Sequence, residues 1–565
     1  MNPSIRGHLV HLYGGDAAEK ILPRLRQLLD KHRSRVDAQP LRPRPAPLSE
    51  RDCLLITYGD QVREPGAAPL RALADFTDKY LSGVISGIHV LPFYPYSSDD
   101  GFSVKDYLAV DPALGDWGDI QRLGENFDLM FDAVFNHLSA QSEWFQGFLQ
   151  DDPRYRDFFV TVEGSPDLSQ VVRPRALPLL TEFQSRSGPK SVWTTFSADQ
   201  VDLNARRPEV LLALLEVLLF YVSHRARFIR LDAIAYLWKE AGTPCIHLPQ
   251  THRIIQLMRC VLDEVAPGVL LITETNVPHA DNLSYFGDGT NEAQLVYNFA
   301  LPPLVLHSIA AGNAGKLTQW ARSLALPSDR VTFFNFLASH DGIGINPVRG
   351  ILSEKEIEAL VSRAQTHGGF VSYKHNSDGS KSPYELNLNY FDALSNPADR
   401  EPIETQVRRF MVAQAIMLSL TGVPGIYFHS LFGSRNDRAG AEASGIPRRI
   451  NRQKLARTEL ERDLADPASL RSRILGDFRK LLHQRRSNPA FHPASGQEIL
   501  SLEERVFAVR RASPDGSGQT LCLHNLSGSP VSFSVAGRDH TLQAHDVKWV
   551  QERPGNGPPS PSPSA

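Results

Sequence analysis

Apolar runs of strand length recur along this chain with helical segments between them: Cys53-Leu-Leu-Ile-Thr, Ile88-His-Val-Leu-Pro, Leu129-Met-Phe-Asp-Ala-Val, Phe228-Ile-Arg-Leu, Val269-Leu-Leu-Ile-Thr, Val331-Thr-Phe-Phe-Asn-Phe-Leu and Val423-Pro-Gly-Ile-Tyr-Phe. Hydrophobicity that is continuous rather than alternating marks strands buried on both faces, and such strands belong to a parallel sheet covered by helices. Segments 207–224 and 250–265 carry the helical pattern. So many β-then-α units predict an α/β fold of the (β/α)8 TIM-barrel type rather than an open doubly wound sheet.

Around that barrel the chain divides by composition. Residues 1–50 read as a helical extension and a proline-rich linker, with an amphipathic helix over 16–34 that Pro23 should kink or divide. The barrel occupies 51–137, 201–342 and 401–489. It is interrupted by a Pro-, Arg- and aromatic-rich insertion at 138–200 and by a second at 343–400, and long loops of this kind build substrate pockets. Short alternating runs (Val506-Phe-Ala-Val, Thr520-Leu-Cys-Leu, Val531-Ser-Phe-Ser-Val) predict a small all-β domain over 490–553, and 554–565, rich in proline, is expected to be disordered.

Formal net charge is −3 with both signs interspersed, which gives no reason to expect a nucleic-acid or acidic-lipid partner. Cys53, Cys245, Cys260 and Cys522 have neither metal-ligand spacing nor disulfide-scaffold density, and are expected to be reduced. No signal-peptide layout opens the chain, and the longest apolar stretch, 210–222, is interrupted by Glu216 and shorter than the roughly 20 residues a membrane span needs. A soluble, cytoplasmic protein is the expectation.

Three of the strand-like runs lead to an acid: Asp232, Glu274 and Asp341. Acids gathered at strand ends of a barrel suit the breaking of a glycosidic bond. Arg230, two positions before Asp232, points to the same side and should hold Asp232 ionised, as a carboxylate nucleophile requires. A purely structural Arg–Asp pair has the same spacing. Glu274 follows Leu-Leu-Ile-Thr, and apolar surroundings would keep it protonated for use as a general acid. An ionised nucleophile and a protonated acid form the pair of a retaining mechanism, with Asp341 as a third carboxylate to stabilise an oxocarbenium-like transition state. His137, in Asp132-Ala-Val-Phe-Asn-His137, and His340 end strands beside Asp or Asn and could donate to sugar hydroxyls. A divalent-metal site is the competing reading of these groups, but no H-x-H or H-x-x-x-H spacing accompanies them, so neither metal nor organic cofactor is expected.

The segments Asp132-Ala-Val-Phe-Asn-His, Arg230-Leu-Asp-Ala-Ile, Ile272-Thr-Glu-Thr-Asn and Ala338-Ser-His-Asp-Gly-Ile-Gly resemble the four signatures of the α-amylase superfamily. Glu240-Ala-Gly-Thr-Pro-Cys, Leu301-Pro-Pro-Leu-Val-Leu-His and Arg449-Ile-Asn-Arg resemble its sucrose phosphorylase branch, from about residue 52 to 550. Arg173-Pro-Arg-Ala-Leu-Pro-Leu-Leu-Thr and Glu274-Thr-Asn-Val-Pro-His are closer to glucosylglycerate phosphorylases.

The resemblance implies Asp232 as nucleophile, Glu274 as acid/base and Asp341 as transition-state stabiliser. It also implies a glucose subsite of Asp99, His137, Arg230, His340 and Arg448, with Phe196 and Tyr236 lining it; Asp100 competes with Asp99. It implies phosphate and acceptor contacts from Arg175, with Arg173 and Tyr384 as neighbours. Glu385, in a loop that helps shape the acceptor site and so itself an expected acceptor-site residue, stands where sucrose phosphorylases have glutamine, which weakens the case for fructose as acceptor.

The reading is then a retaining phosphorylase that converts an α-glucoside, with 2-O-α-D-glucosyl-D-glycerate favoured, and phosphate into α-glucose 1-phosphate and D-glycerate. Sucrose, sucrose 6-phosphate or glucosylglycerol phosphorolysis, a hydrolase or transglucosylase, and a non-catalytic binding subunit are the alternatives. The expected partners are small molecules, with a homodimer open.

Overall fold

The computed structural model describes residues 2–44, 47–174, 177–375 and 380–552. Eight parallel strands close into a barrel: β1 (Leu54–Thr57), β2 (Gly87–Val90), β3 (Asp128–Ala133), β4 (Ala226–Leu231), β5 (Leu270–Thr273), β6 (Leu295–Tyr297), β7 (Thr332–Asn335) and β8 (Val423–Tyr427). Each strand pairs with its neighbours in sequence, and β8 closes on β1 with Leu54 opposite Gly425. Every residue of these strands is buried, which accounts for the unbroken apolar runs. A Cβ on Gly425 would lie 2.3 Å from the Phe334 ring, so glycine there makes room for the large side chain of β7.

β6 is the strand that the hydrophobic pattern misses. Leu295-Val-Tyr is three residues long, bracketed by Gln294 and Asn298, and too short to register as a run. It is held on both sides by the barrel, with Leu295 opposite Thr332 of β7 and Ile272 of β5 opposite Leu295.

Helices Pro208–Ser223 and Pro249–Val265 lead into β4 and β5, and the N-terminal helices Pro3–Tyr13 and Gly15–Ala38 pack outside them. Exposed pairs Arg24–Glu209 and Lys31–Glu216 flank that contact, while Ile21, Leu25 and Leu29 supply its apolar face. Of the two expected effects of Pro23, a kink or a break, the second does not occur: Gly15–Ala38 is one helix. Pro23 and Glu19, whose carbonyl loses its intrahelical donor, both lie on the exposed side, where water can satisfy the carbonyl.

The two stretches that break the alternation sit beyond strand ends. After β3, strand His137–Ser139 pairs with Gln200–Asp202, and hairpin Leu180–Ser185/Gly188–Trp193 lies between. After β7, Ile343–Gly344, Lys381–Asn387 and Phe370–His375 form a small antiparallel sheet. Strands Gln497–Leu500, Val506–Ala512, Gln519–Asn525 and Val547–Glu552 form an antiparallel C-terminal sheet, joined by hairpin Val531–Val535/Arg538–Leu542. The expected disordered tail, 554–565, lies outside the described residues. Among the described residues no helix is long and apolar enough to cross a membrane, and all four cysteines are unbridged.

Candidate active site

Strand register brings the first charges together. Asp132 on β3 stands opposite Arg230 on β4, and Arg230 Nη1 donates to Asp132 Oδ1 at 2.5 Å and to Asp232 Oδ1, just past the strand end, at 2.7 Å. His89 on β2 holds the other Asp132 oxygen at 2.7 Å. Arg230 Nη2 lies 3.9 Å from Glu274 Oε2, which accepts from the Ala233 N–H at 3.1 Å. Rings of Phe102 and Tyr297 flank the guanidinium at 5.7 and 5.4 Å. His89, Asp132 and Arg230 thus use one another as partners, and among the described residues no group of three or more His, Cys, Asp or Glu side chains is placed to hold a metal ion.

The opposite wall comes from the loop after β7. Asp341 lies six residues beyond that strand rather than at its end, and Arg448 Nη1 binds its Oδ1 at 2.6 Å, with Arg452 Nη2 at 3.8 Å. His340 stacks on Phe102 at 4.7 Å with 6° between planes, its Nε2 3.5 Å from Asp341 Oδ2. One pocket is lined by all three acids and by Asp99, His137, Phe196, Tyr236, His340, Tyr384 and Arg448. Phe196 packs edge-on against Tyr236 at 5.6 Å and lies 5.1 Å from the His137 ring.

Two ambiguous pairs in the sequence separate in space. Asp99 lines the pocket, while Asp100 turns away to ion-pair with Arg449 and, at 2.7 Å, with Arg452. Likewise Arg448 faces Asp341 and Arg449 faces Asp100. The backbone makes the first split: Asp99 and Asp100 both have positive φ, 53° and 50°, so successive side chains diverge around a tight turn.

Protonation departs from the sequence expectation in one respect. Burial, reinforced by Glu274 and Asp132, pushes Asp232 up to about 8 despite Arg230, so the arginine alone does not hold it ionised. Burial raises Glu274 as well, with Arg230 opposing and Asp341 assisting. Burial acts in the same direction on Asp341, but Arg448, with His340 and Arg452, pulls that carboxyl well below the usual range. Burial lowers His137 to about 4 and His340 to about 3, so both are neutral near pH 7. His137 donates from Nε2 to the Phe102 carbonyl at 3.0 Å.

The structure does not bring Arg173 into this pocket. It is exposed and its guanidinium donates to the carbonyl of Leu177 four residues on, within its own loop. Arg175 lies outside the described residues; Pro174, just before it in sequence, lines the pocket. Glu385 is buried behind the lining rather than on it. Gln200, which donates to Asp99 Oδ2 at 3.4 Å and lies 3.3 Å from His137 Nε2, was not legible because a glutamine in a loop-rich insertion carries no periodic or motif signal. Asp132 and Arg452 could have been found, since both belong to the quoted motifs.

Close packing behind Asp341 gives a first prediction. A Cβ on Gly342 would lie 2.5 Å from the Leu386 carbonyl oxygen and 2.6 Å from Glu385 Cγ. Gly342→Ala should destabilise by about 1–3 kcal/mol and displace the Asp341 turn. A thermal melt and turnover measured together test this, and an unchanged melt with full activity would contradict it.

Residues 79–344 match the alpha-amylase catalytic domain family. A glucosylglycerate phosphorylase of Allomeiothermus silvanus is 54% identical over 97% of this chain and 98% of its own length. One from Escherichia coli K12 is 46% identical over 98% and 100%, and a sucrose phosphorylase of Agrobacterium vitis is 31% identical over 78% and 88%. Among solved structures, sucrose 6F-phosphate phosphorylase from Thermoanaerobacter thermosaccharolyticum superposes with a TM-score of 0.74 at 24% identity, covering 89% of this chain and all of that one. The chain belongs to the alpha-amylase family, in the group that holds the glucosylglycerate and sucrose phosphorylases.

Proposed function

We propose that the protein catalyses reversible phosphorolysis of 2-O-α-D-glucosyl-D-glycerate to α-D-glucose 1-phosphate and D-glycerate by double displacement. Three relatives named glucosylglycerate phosphorylase, 46–54% identical over nearly the whole chain, favour this acceptor over fructose, since the sucrose phosphorylase of A. vitis reaches only 31%. The observation that supports the chemistry is the single guanidinium of Arg230 set between two raised carboxyls, at 2.7 Å from Asp232 and 3.9 Å from Glu274. The pair holds its protons jointly, and the reactive form is the one in which the negative charge sits on Asp232, against Arg230, and the proton on Glu274.

Asp232 attacks the anomeric carbon while Glu274 protonates the glycerate oxygen as the C–O bond breaks. Phosphate then attacks the glucosyl–Asp232 ester with Glu274, now anionic, as base, and two inversions retain the α configuration. Asp341, kept anionic mainly by Arg448, faces the positive charge that develops on the sugar ring. Asp99, His137, His340 and Arg448 hold glucose hydroxyls, with Phe196 and Tyr236 lining the same pocket. The resemblance assigns to Arg175 the positive charge that phosphate needs beside Glu274, and Tyr384 lines the pocket. No metal or organic cofactor enters these steps. A cytoplasmic location suits a reaction that consumes phosphate and keeps a phosphorylated sugar.

Phosphate dependence tests the reaction class. Glucosylglycerate should be consumed rapidly with phosphate present and at under about 1% of that rate without it, a difference of roughly 3 kcal/mol in barrier. Equal consumption in both would identify a hydrolase.

A further inference from the structure

We propose that Glu385 is a positioning residue that fixes Arg448 against Asp341 and has no contact with the acceptor. Its side chain lies on strand Lys381–Asn387, is 2% exposed and is absent from the pocket wall that the adjacent Tyr384 lines. Both carboxylate oxygens are committed. Oε1 accepts the Gly342 N–H at 2.5 Å, and Oε2 accepts Arg448 Nε at 3.1 Å. Pairing of Gly344 with Glu385 and of Ile343 with Leu386 ties this strand to the segment that follows Asp341.

Arg448 therefore spans two acids through different nitrogens, Nε to Glu385 and Nη1 to Asp341 at 2.6 Å. Its long side chain leaves the short 3-10 turn Pro447–Asn451, and an unrestrained arginine samples many rotamers. Nε has one hydrogen whose direction is set by the side-chain stem. A bond there fixes the roll of the guanidinium plane and with it the aim of Nη1. The Gly342 bond does the same for the residue next to Asp341, so one carboxylate registers both members of the Arg448–Asp341 pair. Because it is buried with both oxygens bonded, Glu385 presents no free carboxylate to a carboxylated acceptor; this last consequence alone rests on the glycerate reading.

Glu385→Gln is isosteric, and its single amide oxygen can accept from Gly342 or from Arg448 but not from both. The test combines it with Arg448→Lys, in a double-mutant cycle. Rates are read as fluoride release from α-glucosyl fluoride, an activated donor, at saturating phosphate, and separately as the KM for glycerate during synthesis. With Arg448 in place, kcat for fluoride release should fall at least about tenfold while the KM for glycerate stays within about threefold; in the Arg448→Lys background the same change should alter fluoride release by less than about twofold.

A tenfold rise in the KM for glycerate with fluoride release unchanged would make Glu385 an acceptor contact. Equal losses in both backgrounds would make its role merely structural. Either result, or no effect at all, overturns the proposal. Fluoride release does not involve glycerate, so an error in the acceptor leaves that arm intact. Should Glu385→Gln fail to fold, Glu385→Asp, one methylene shorter and able to reach one donor only, is expected to give the same split.

Discussion

Asp232→Asn lowers turnover in both directions by on the order of 10⁴-fold or more, equivalent to at least about 5 kcal/mol of transition-state stabilisation, and leaves the fold in place. The amide keeps the size of the carboxylate and can still accept from Arg230, but it cannot form the glucosyl ester. Arg230 retains Asp132 at 2.5 Å, so the substitution does not leave an uncompensated buried cation. The variant should melt within a few degrees of the parent, by about 3 °C at most. Near-normal phosphate release by this folded variant would remove Asp232 from the nucleophile role.

Glu274→Gln separates the acid from the nucleophile. A general acid contributes typically 10²–10⁴-fold, and glycerate is a poor leaving group without protonation, so phosphorolysis of glucosylglycerate should fall by about 10³-fold. Fluoride leaves without a proton, so the single-turnover release of fluoride from α-glucosyl fluoride, which reports formation of the glucosyl–Asp232 ester alone, should fall by less than about tenfold in the same variant. Parallel measurement of the two substrates is decisive here. Equal loss on both would show that Glu274 does something other than protonate the leaving group.

Most of the barrel was legible because a parallel strand buried on both faces writes itself as an unbroken apolar run, as in Leu-Leu-Ile-Thr at both β1 and β5. β6 was not, since a three-residue strand is fixed by its neighbours rather than by its own pattern. That Pro23 does not break its helix was not legible for a related reason: the penalty of an interior proline depends on whether the stranded carbonyl reaches water, and sequence does not say which side of the helix faces out.

At the site, residues set by strand register were readable. Arg230 and Asp232 share a side because of the two-residue period, and the observed 2.7 Å bond follows. What sequence could not weigh was burial against charge, so Asp232 was expected to be held ionised by Arg230 when desolvation in fact dominates. The choice of Asp99 over Asp100, and the assignment of Arg448, came from resemblance. Their physical basis, a positive-φ turn and an ion pair to Asp100, exists only in three dimensions. Arg173 stands apart from the pocket lining, since a loop arginine can be satisfied by its own backbone as readily as by a ligand. From its sequence Glu385 reads as an acceptor-site acid, yet both of its oxygens are used internally.

The central claim is that this pocket transfers glucose between phosphate and glycerate. It is tested most directly by incubating the protein with α-glucose 1-phosphate and, in separate reactions, D-glycerate, glycerol, fructose or fructose 6-phosphate, and measuring released phosphate. Rapid release with glycerate, at least about a hundredfold above each of the others, or roughly 3 kcal/mol of discrimination, is the predicted result. Equal or faster release with fructose, fructose 6-phosphate or glycerol, or release that needs no acceptor, would contradict it.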